Sequence, residues 1–382
     1  MTPFKTFFMG GYECADHINR DGVRVNLLRE TQHDIRVEED YRMLASIGIR
    51  TVREGICWSA VDNGDGSFDF SEVKYRMDAA EKYGIQQLWD LCHFGYPDGM
   101  FPTHPLFTKR FAALCEAFAE FHKTFSKQPL FVVPINEISF LSWHSGDVRG
   151  TVPFMVNSGW DIKYHLCKAA IVGIKILKEV DPACTVILVE PLIRVHQAFE
   201  CDADVVRDLN EHQFQAMDII AGRICPELGG DESLLEILGF NYYWNSEWEH
   251  GVGPLDWPET QAKRSRISKL LQMAAARYQK PIFLSETGHF GAGRIEWLDE
   301  VVAECQQAMA QGVELLGICI YPVTDRPDWD DLNSYSNCGI WDLDAQNNRI
   351  PHLEYIDSLR AHHKKFENAP VLHPQKQNEL II

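Results

Sequence analysis

A single (β/α)₈ barrel is the fold that this sequence predicts, and three observations predict it. Eight short β-branched or aromatic runs alternate with long amphipathic stretches, the pattern of a parallel sheet with crossover helices. The 382 residues suit one barrel with loop insertions on a core of roughly 250 residues, and no low-complexity linker or internal repeat divides them. The competing fold, an open doubly wound sheet, usually carries a Gly-rich phosphate loop after an early strand. Gly10-Gly11 is not such a loop.

The elements follow in order. Phe7–Cys14 is the first strand candidate, and Asp34 can cap a helix that runs through Tyr41, Leu44 and Ile47 and stops at Gly48. Ile49–Arg53 is the second strand, followed by a helix that starts after Ser71 and ends before Gly84. Gln87–Leu91 is the third, with a helix over 109–127. Phe131–Asn136 is the fourth, with a helix that Asp161 precedes and that ends near Asp181-Pro182. Thr185–Glu190 precedes a helix over 203–223, and Ile237–Tyr243 precedes one over 260–278. Ile282–Glu286 and the helix 294–311 come next, and Leu316–Tyr321 closes the barrel. Residues 1–363 form the barrel on this reading. Residues 364–382, with two prolines and little periodicity, form a C-terminal extension.

Composition narrows the function. The net charge of −19 sets the surface against phosphate backbones, so nucleic acid is not expected as a partner. The longest apolar stretch, Val313–Val323, is too short for a membrane span and contains Gly, Glu and Pro. The first eleven residues lack the length and cleavage site of a signal peptide. Eleven scattered cysteines without a CxxC pair read as reduced thiols, which points to the cytoplasm. The oligomeric state is not legible.

Barrel chemistry sits at the C-terminal ends of the strands. Arg53 ends the second strand, and the third runs into Asp90 and His93. Asn136-Glu137 end the fourth, Glu190 the fifth, and Asn241, Tyr242 and Tyr243 the sixth. Glu286 ends the seventh, and Tyr321 and Asp325 follow the eighth. Burying such groups costs several kcal/mol unless they are paired, so their concentration at one end marks a polar site. Glu137 and Glu286 end apolar strands on nearly opposite sides of a narrow mouth. Two carboxyls facing one cavity are what glycoside hydrolysis needs, one protonated and one ionised. Arg53 could hold Glu286 ionised and Tyr243 could donate to it, whereas Glu137 has no cation nearby in sequence.

On these residues the chain resembles glycoside hydrolase family 1, the β-glucosidase type, within the clan of (β/α)₈ retaining glycosidases. Val52–Trp58 stands where that family shows YRFSISW, and His93–Pro97 where it shows HWDLP. Ile135–Ile138 is similar to FNEP, and Gly239–Tyr243 to GINYY. Pro281–Gly288 matches PIYITENG, Asp325–Trp329 lines up with DNFEW, and Cys338–Ile340 with FGL. The resemblance implies a retaining β-glycosidase that needs no cofactor or metal, with Glu286 as nucleophile and Glu137 as general acid/base. It implies an oligosaccharide or glycoside substrate bound by Arg53, His93, Asn136, Asn241, Tyr243, Tyr321, Asp328 and Trp329.

Departures fall at the sugar-binding positions. FNEP has lost its Pro, the Trp after strand eight is Tyr321, and the Glu of DNFEW is Asp328. Glu13 is the nearest counterpart of the family's Gln after strand one. Arg326 is expected to pair with Asp330 or Asp331, or to reach an acidic sugar. Tyr321, Trp329, Tyr335 and Trp341, with Trp58, Trp143 and Trp244, are either loop packing or a stacking wall for sugar rings. Three other readings compete: a transglycosylase using the same site, a non-catalytic carbohydrate-binding barrel, and a metal-dependent barrel with ligands drawn from His17, Asp90, His93 and Glu190. Against the last, no HxH or HxxxH pair stands on a strand end.

Overall fold

A computed structural model describes residues 2–367. Eight parallel strands close into a barrel: β1 (Phe8–Gly11), β2 (Thr51–Gly55), β3 (Gln86–Asp90), β4 (Phe131–Val133), β5 (Thr185–Pro191), β6 (Ile237–Asn241), β7 (Ile282–Thr287) and β8 (Leu315–Ile320). Each strand pairs with its neighbours in sequence order, and β1 pairs with β8, Phe8 opposite Ile318. The fold is therefore the (β/α)₈ barrel expected.

Alternation along the strands divides the core in two. Met9, Leu88, Val133, Ile187, Phe283 and Cys319 fill the lumen, and Phe4 plugs its lower end against Phe131 and Phe283 at ring distances of 5.8 and 5.3 Å. Their neighbours Phe8, Trp89, Val132, Leu188, Leu284 and Ile318 face outward and meet the helices. Period-two patterning of wholly buried strands produces both layers at once. The lumen is closed by apolar side chains below, so a ligand has only the upper mouth.

The outer helices are α1 (His33–Ser46), α2 (Ser71–Tyr83), α3 (Phe107–Phe125), α4 (Gly159–Val180), α5 (Ala203–His212), α6 (Ile267–Tyr278), α7 (Gly293–Ala310) and α8 (Leu353–Glu367). Four expectations change here. Asp34 lies inside the first turn of α1 and is not its cap, and Asp161 lies inside the first turn of α4 and does not precede it; in both places the charge meets the positive helix end. The helix expected over 203–223 is two, Ala203–His212 and Gln215–Ile220, interrupted where the Gln213 side chain turns to accept from Ile193 N–H at 3.0 Å. The fourth strand stops at Val133 because Pro134 has no N–H to donate, and pairing resumes only at Asn136 opposite Val189. The last helix continues to Glu367, past residue 364 where the extension was expected to begin. The rest of that segment, 368–382, lies outside the described residues.

Candidate active site

Arg53 organises the mouth. It is 1% exposed, and its guanidinium fork reaches three strands. Nη1 donates to Glu286 Oε1 at 2.7 Å and to Ser285 O at 3.0 Å. Nη2 donates to Asp90 Oδ2 at 2.5 Å and to Asn136 Oδ1 at 3.1 Å. Burial opposes the guanidinium charge, but Asp90 and Glu286 outweigh it and keep Arg53 protonated. Asp90 Oδ2 also meets His93 Nδ1 at 2.8 Å, and Asn136 Nδ2 lies 3.3 Å from His93 Nε2. Burial works against the His93 cation as well, yet the Asp90 hydrogen bond and charge raise its pKa above the ordinary value.

The two carboxyls of interest differ in what surrounds them. Glu286, at the end of β7, is 5% exposed and receives Arg53 on one oxygen and the Tyr243 hydroxyl on the other, at 2.7 Å each. Burial, with the Glu13 charge adding to it, raises its pKa above the ordinary value, and Arg53, His93 and the Tyr243 hydroxyl oppose that rise. Glu137 follows β4 in a left-handed backbone conformation, φ +46°, with its N–H bonded to Val189 O at 2.9 Å. Its one side-chain donor is Asn241 Nδ2, at 2.9 Å from Oε1. Burial and the negative charge of Glu286 push Glu137 up to about 8. Among the described residues no cation or hydroxyl hydrogen-bonds to Glu137, and the His93 charge opposes its raised pKa only weakly, so a proton shared by the pair rests there. Asn241 is itself oriented by Ser285, whose hydroxyl donates to Asn241 Oδ1 at 2.6 Å.

Comparison with known proteins follows that geometry. No family model matches the chain. It is 24% identical over 368 residues to the 6-phospho-beta-glucosidase AscB of Escherichia coli (strain K12), covering 76% of this chain and 74% of that one. Over 76 residues it is 34% identical to the aryl-phospho-beta-D-glucosidase BglC of Bacillus subtilis (strain 168), which covers 17% of this chain and 16% of that one. The solved structure of a family 1 β-glucosidase from Thermotoga maritima superposes with a TM-score of 0.75, covering 96% of this chain and 98% of that one; at 16% identity this is a likeness of fold. The chain is glycoside hydrolase family 1-like.

In this family 1-like barrel, Glu13 and Tyr321 lie beside the cluster. Glu13 is buried, with Oε1 accepting the backbone N–H groups of Cys14 and Ala15 at 3.0 and 3.1 Å. The Tyr321 hydroxyl lies 3.3 Å from the same oxygen and 3.4 Å from His93 Nε2. Gly11 makes room for that ring: a Cβ there would sit 2.2 Å from Tyr321 Cδ2. Cys14, Asp90 and His93 bring donor atoms within 4.8 Å of one another. A cation at that point would meet the Arg53 guanidinium already bound to Asp90. Glu190 stands behind Glu137, both its oxygens accepting from Ser139 N–H at 3.2 and 3.1 Å. Burial raises its carboxyl to about 7, opposed by Ser139 and Lys163.

Other expected residues go elsewhere. Asp328 is exposed, and its Oδ1 accepts from the backbone N–H of Asp330 and Asp331 at 2.8 and 3.3 Å, so the carboxylate serves its own turn rather than the mouth. Arg326 does not pair with Asp330 or Asp331; Arg20 takes Asp330 at 2.7 Å, and Arg326 faces Glu13 at 3.8 Å. Trp58 is a core residue against Phe107 and Phe111. Trp341 is buried in a hairpin opposite Pro351, and Trp244 packs on His289 and Phe290. The aromatic residues after β8 therefore form no single platform. Trp329 lines a second cavity, with Trp143 and with Phe140, His144, Arg20 and Arg149, which the sequence reading missed. The missed signal was helical spacing: Phe140 and His144 follow Glu137 by three and seven residues on the helix Ile138–Gly146.

Proposed function

We propose that this protein is a retaining β-glycosidase that cleaves O-glycosidic bonds by double displacement, with Glu286 as nucleophile and Glu137 as general acid/base. The observation that carries the reading is the unlike surroundings of the two carboxyls. Glu286 is held by Arg53 and Tyr243, which favour the anion, while Glu137 has only an amide donor and is pushed up to about 8. Splitting two carboxyls in this way sets one to donate a proton and the other to attack. Glu137 protonates the glycosidic oxygen as the bond to the anomeric carbon breaks and Glu286 Oε forms its ester there. Water then attacks the ester, losing its proton to Glu137, and Glu286 leaves as the carboxylate.

The glycone falls against Glu13, His93, Tyr321 and Arg326. Arg326 faces Glu13, so the pocket holds opposed charges rather than a free cation, and we take the glycone to be a neutral, hydroxylated sugar. The curated relatives are named as phospho-β-glucosidases, so glycosides with and without a 6-phosphate belong in the same panel. Eleven cysteines without a disulfide suit a cytoplasmic site of action.

The test is a panel of aryl β-glycosides of glucose, galactose, mannose, fucose, glucuronic acid and glucose 6-phosphate. Glu286→Ala should lose turnover. Glu137→Ala should still cleave substrates with good leaving groups slowly and be accelerated by azide, because only the proton donor is missing. A product released with inverted anomeric configuration, or no azide rescue in either variant, would remove the assignment.

A further inference from the structure

The second cavity, about 440 Å³, is separate from the carboxylate cluster but joined to it by a continuous run of rings. The His93 ring lies 4.7 Å from Phe94, and Phe94 lies 5.3 Å from both Phe140 and Trp329. Phe140 and Trp329 then wall the cavity, with Trp143 beside them at 5.8 Å from Phe140. Trp143 is 49% exposed and stands beside the partly buried Phe140 and Trp329, so the three rings together give the cavity an apolar aromatic wall. Because the helix Ile138–Gly146 starts immediately after Glu137, this wall stands on the side of the acid, where a departing group leaves the anomeric centre. The volume suits one ring and its substituents.

Charge is as informative as shape. Two arginines line the cavity, and they are not equivalent. Arg20 is committed to Asp330 at 2.7 Å. Arg149 is exposed and makes no hydrogen bond or ion pair among the described residues. Its backbone is left-handed, φ +59°, a conformation disfavoured for a long side chain. Gly150 next to it admits the His144 ring, which a Cβ would meet at 1.9 Å. His144 stacks on Phe140 at 5.2 Å, and burial, with Arg20 adding to it, lowers its pKa, so it lines the cavity as a neutral ring. Asp330 is the anion facing this group, and Arg20 offsets it. One uncompensated positive charge remains.

We propose that this cavity is the binding site for the leaving-group portion of the substrate, and that it takes a ring bearing a single carboxylate, stacked on Trp143, Phe140 and Trp329 and paired with Arg149. Rings with apolar faces pack on aromatic walls, and a planar guanidinium matches a carboxylate in charge and geometry. A phosphate dianion would call for a second free cation, which the cavity does not offer. The inference rests on the glycosidase reading for which part of the substrate enters, but not for the binding itself.

The experiment is calorimetric titration of the full chain with 4-hydroxybenzoate, its neutral near-isostere 4-hydroxybenzamide, and phenyl phosphate. Benzoate should bind about three- to fivefold more tightly than benzamide, the upper size of one exposed ion pair. Arg149→Gln should erase that difference, and Trp143→Ala should weaken both probes alike. Equal binding of the two by the native protein, a preference that survives Arg149→Gln, tighter binding of phenyl phosphate, or no binding of any probe would overturn the proposal. If the probes bind as expected while the whole glycoside panel stays uncleaved, the reaction assignment falls and the binding site stands.

Discussion

Arg53 and Glu54 are adjacent on β2 and point to opposite sides of it, and each is the centre of a buried charged cluster. Arg53 faces the lumen and gathers Glu286, Asp90 and Asn136. Glu54 faces the helices and meets His33 Nε2 at 2.9 Å, Arg76 Nη1 at 3.2 Å and the Tyr41 hydroxyl. His33 in turn contacts Asp40 at 2.7 Å, which Arg349 grips at 2.6 and 2.8 Å, while the Tyr12 ring stacks on His33 at 3.6 Å. With a carboxylate on each ring nitrogen, His33 donates from both and is charged. Burial opposes that charge, and Glu54 and Asp40 together raise the His33 pKa above its ordinary value.

The outer cluster is closed: His33, Arg76 and Arg349 surround Glu54 and Asp40, so each of its two carboxylates meets more than one cation, and it ties α1, β2, α2 and the hairpin 341–351 together. The inner cluster leaves one carboxyl, Glu137, without a cation. The contrast separates two uses of buried charge. Where every carboxylate meets a cation, removal of one costs stability. Where one is left unmatched, a proton is displaced, and proton transfer is the work available to it.

Glu137→Gln should show the largest effect. Turnover should fall by about 10²–10⁴-fold, while thermal stability rises. A buried acid whose pKa is raised above 4.5 penalises folding as pH climbs from about 4.5 through about 8. The gain in melting temperature should therefore be greater at pH 8 than at pH 5. A mutant less stable than the native chain at pH 8 would break the contrast.

Glu54→Gln should do the reverse. It leaves His33 and Arg76 short of a buried partner and should cost about 3–5 kcal/mol, read by denaturant unfolding, with the folded fraction still turning over. The pH dependence of stability sharpens the same point. The raised His33 pKa contributes stability that is fully present below about 6.5 and is lost as pH rises through the folded value. His33→Gln should be less stable than native at pH 6, and the gap should narrow as pH rises. A gap independent of pH would mean that His33 is neutral in the fold.

Smaller changes test the edges of the inner cluster. Glu190 adds to the negative field on Glu137. Glu190→Gln should shift the basic limb of kcat/KM, near pH 8 in the native protein, to lower pH, with Gln Oε1 still able to accept from Ser139. An unmoved limb would detach Glu190 from the acid. The smallest effect belongs to Asp328→Asn. That carboxylate is exposed and serves its own turn, so the ranking of glycones should be unchanged and stability should shift by less than about 0.5 kcal/mol.

Legibility followed the same divide. Strand alternation, the apolar runs before Glu137 and Glu286, and the polar residues closing each strand are local patterns, and they placed the barrel and the members of the inner cluster. Arg53 with Glu286, and Tyr243 with Glu286, were readable because a barrel brings all strand ends to one mouth. The outer cluster was not readable: Arg349 is 309 positions from Asp40, and no sequence period links a hairpin to the helix it touches. The Asp328 turn and the second cavity were missed for a related reason, since loop direction depends on which backbone N–H groups remain unpaired.

The sequence by itself determined the order of elements, the two-layered core and that Glu137 and Glu286, which end strands, reach the mouth, because side-chain period and strand direction are properties of neighbouring residues. Only the tertiary structure decided how the Arg53 guanidinium is divided among its partners and that Glu137 receives an amide as its side-chain donor. Arg53 has one guanidinium to share, and the closure of β2 against β1 and β3 brings it to Asp90 and Glu286 and leaves Glu137 to an amide.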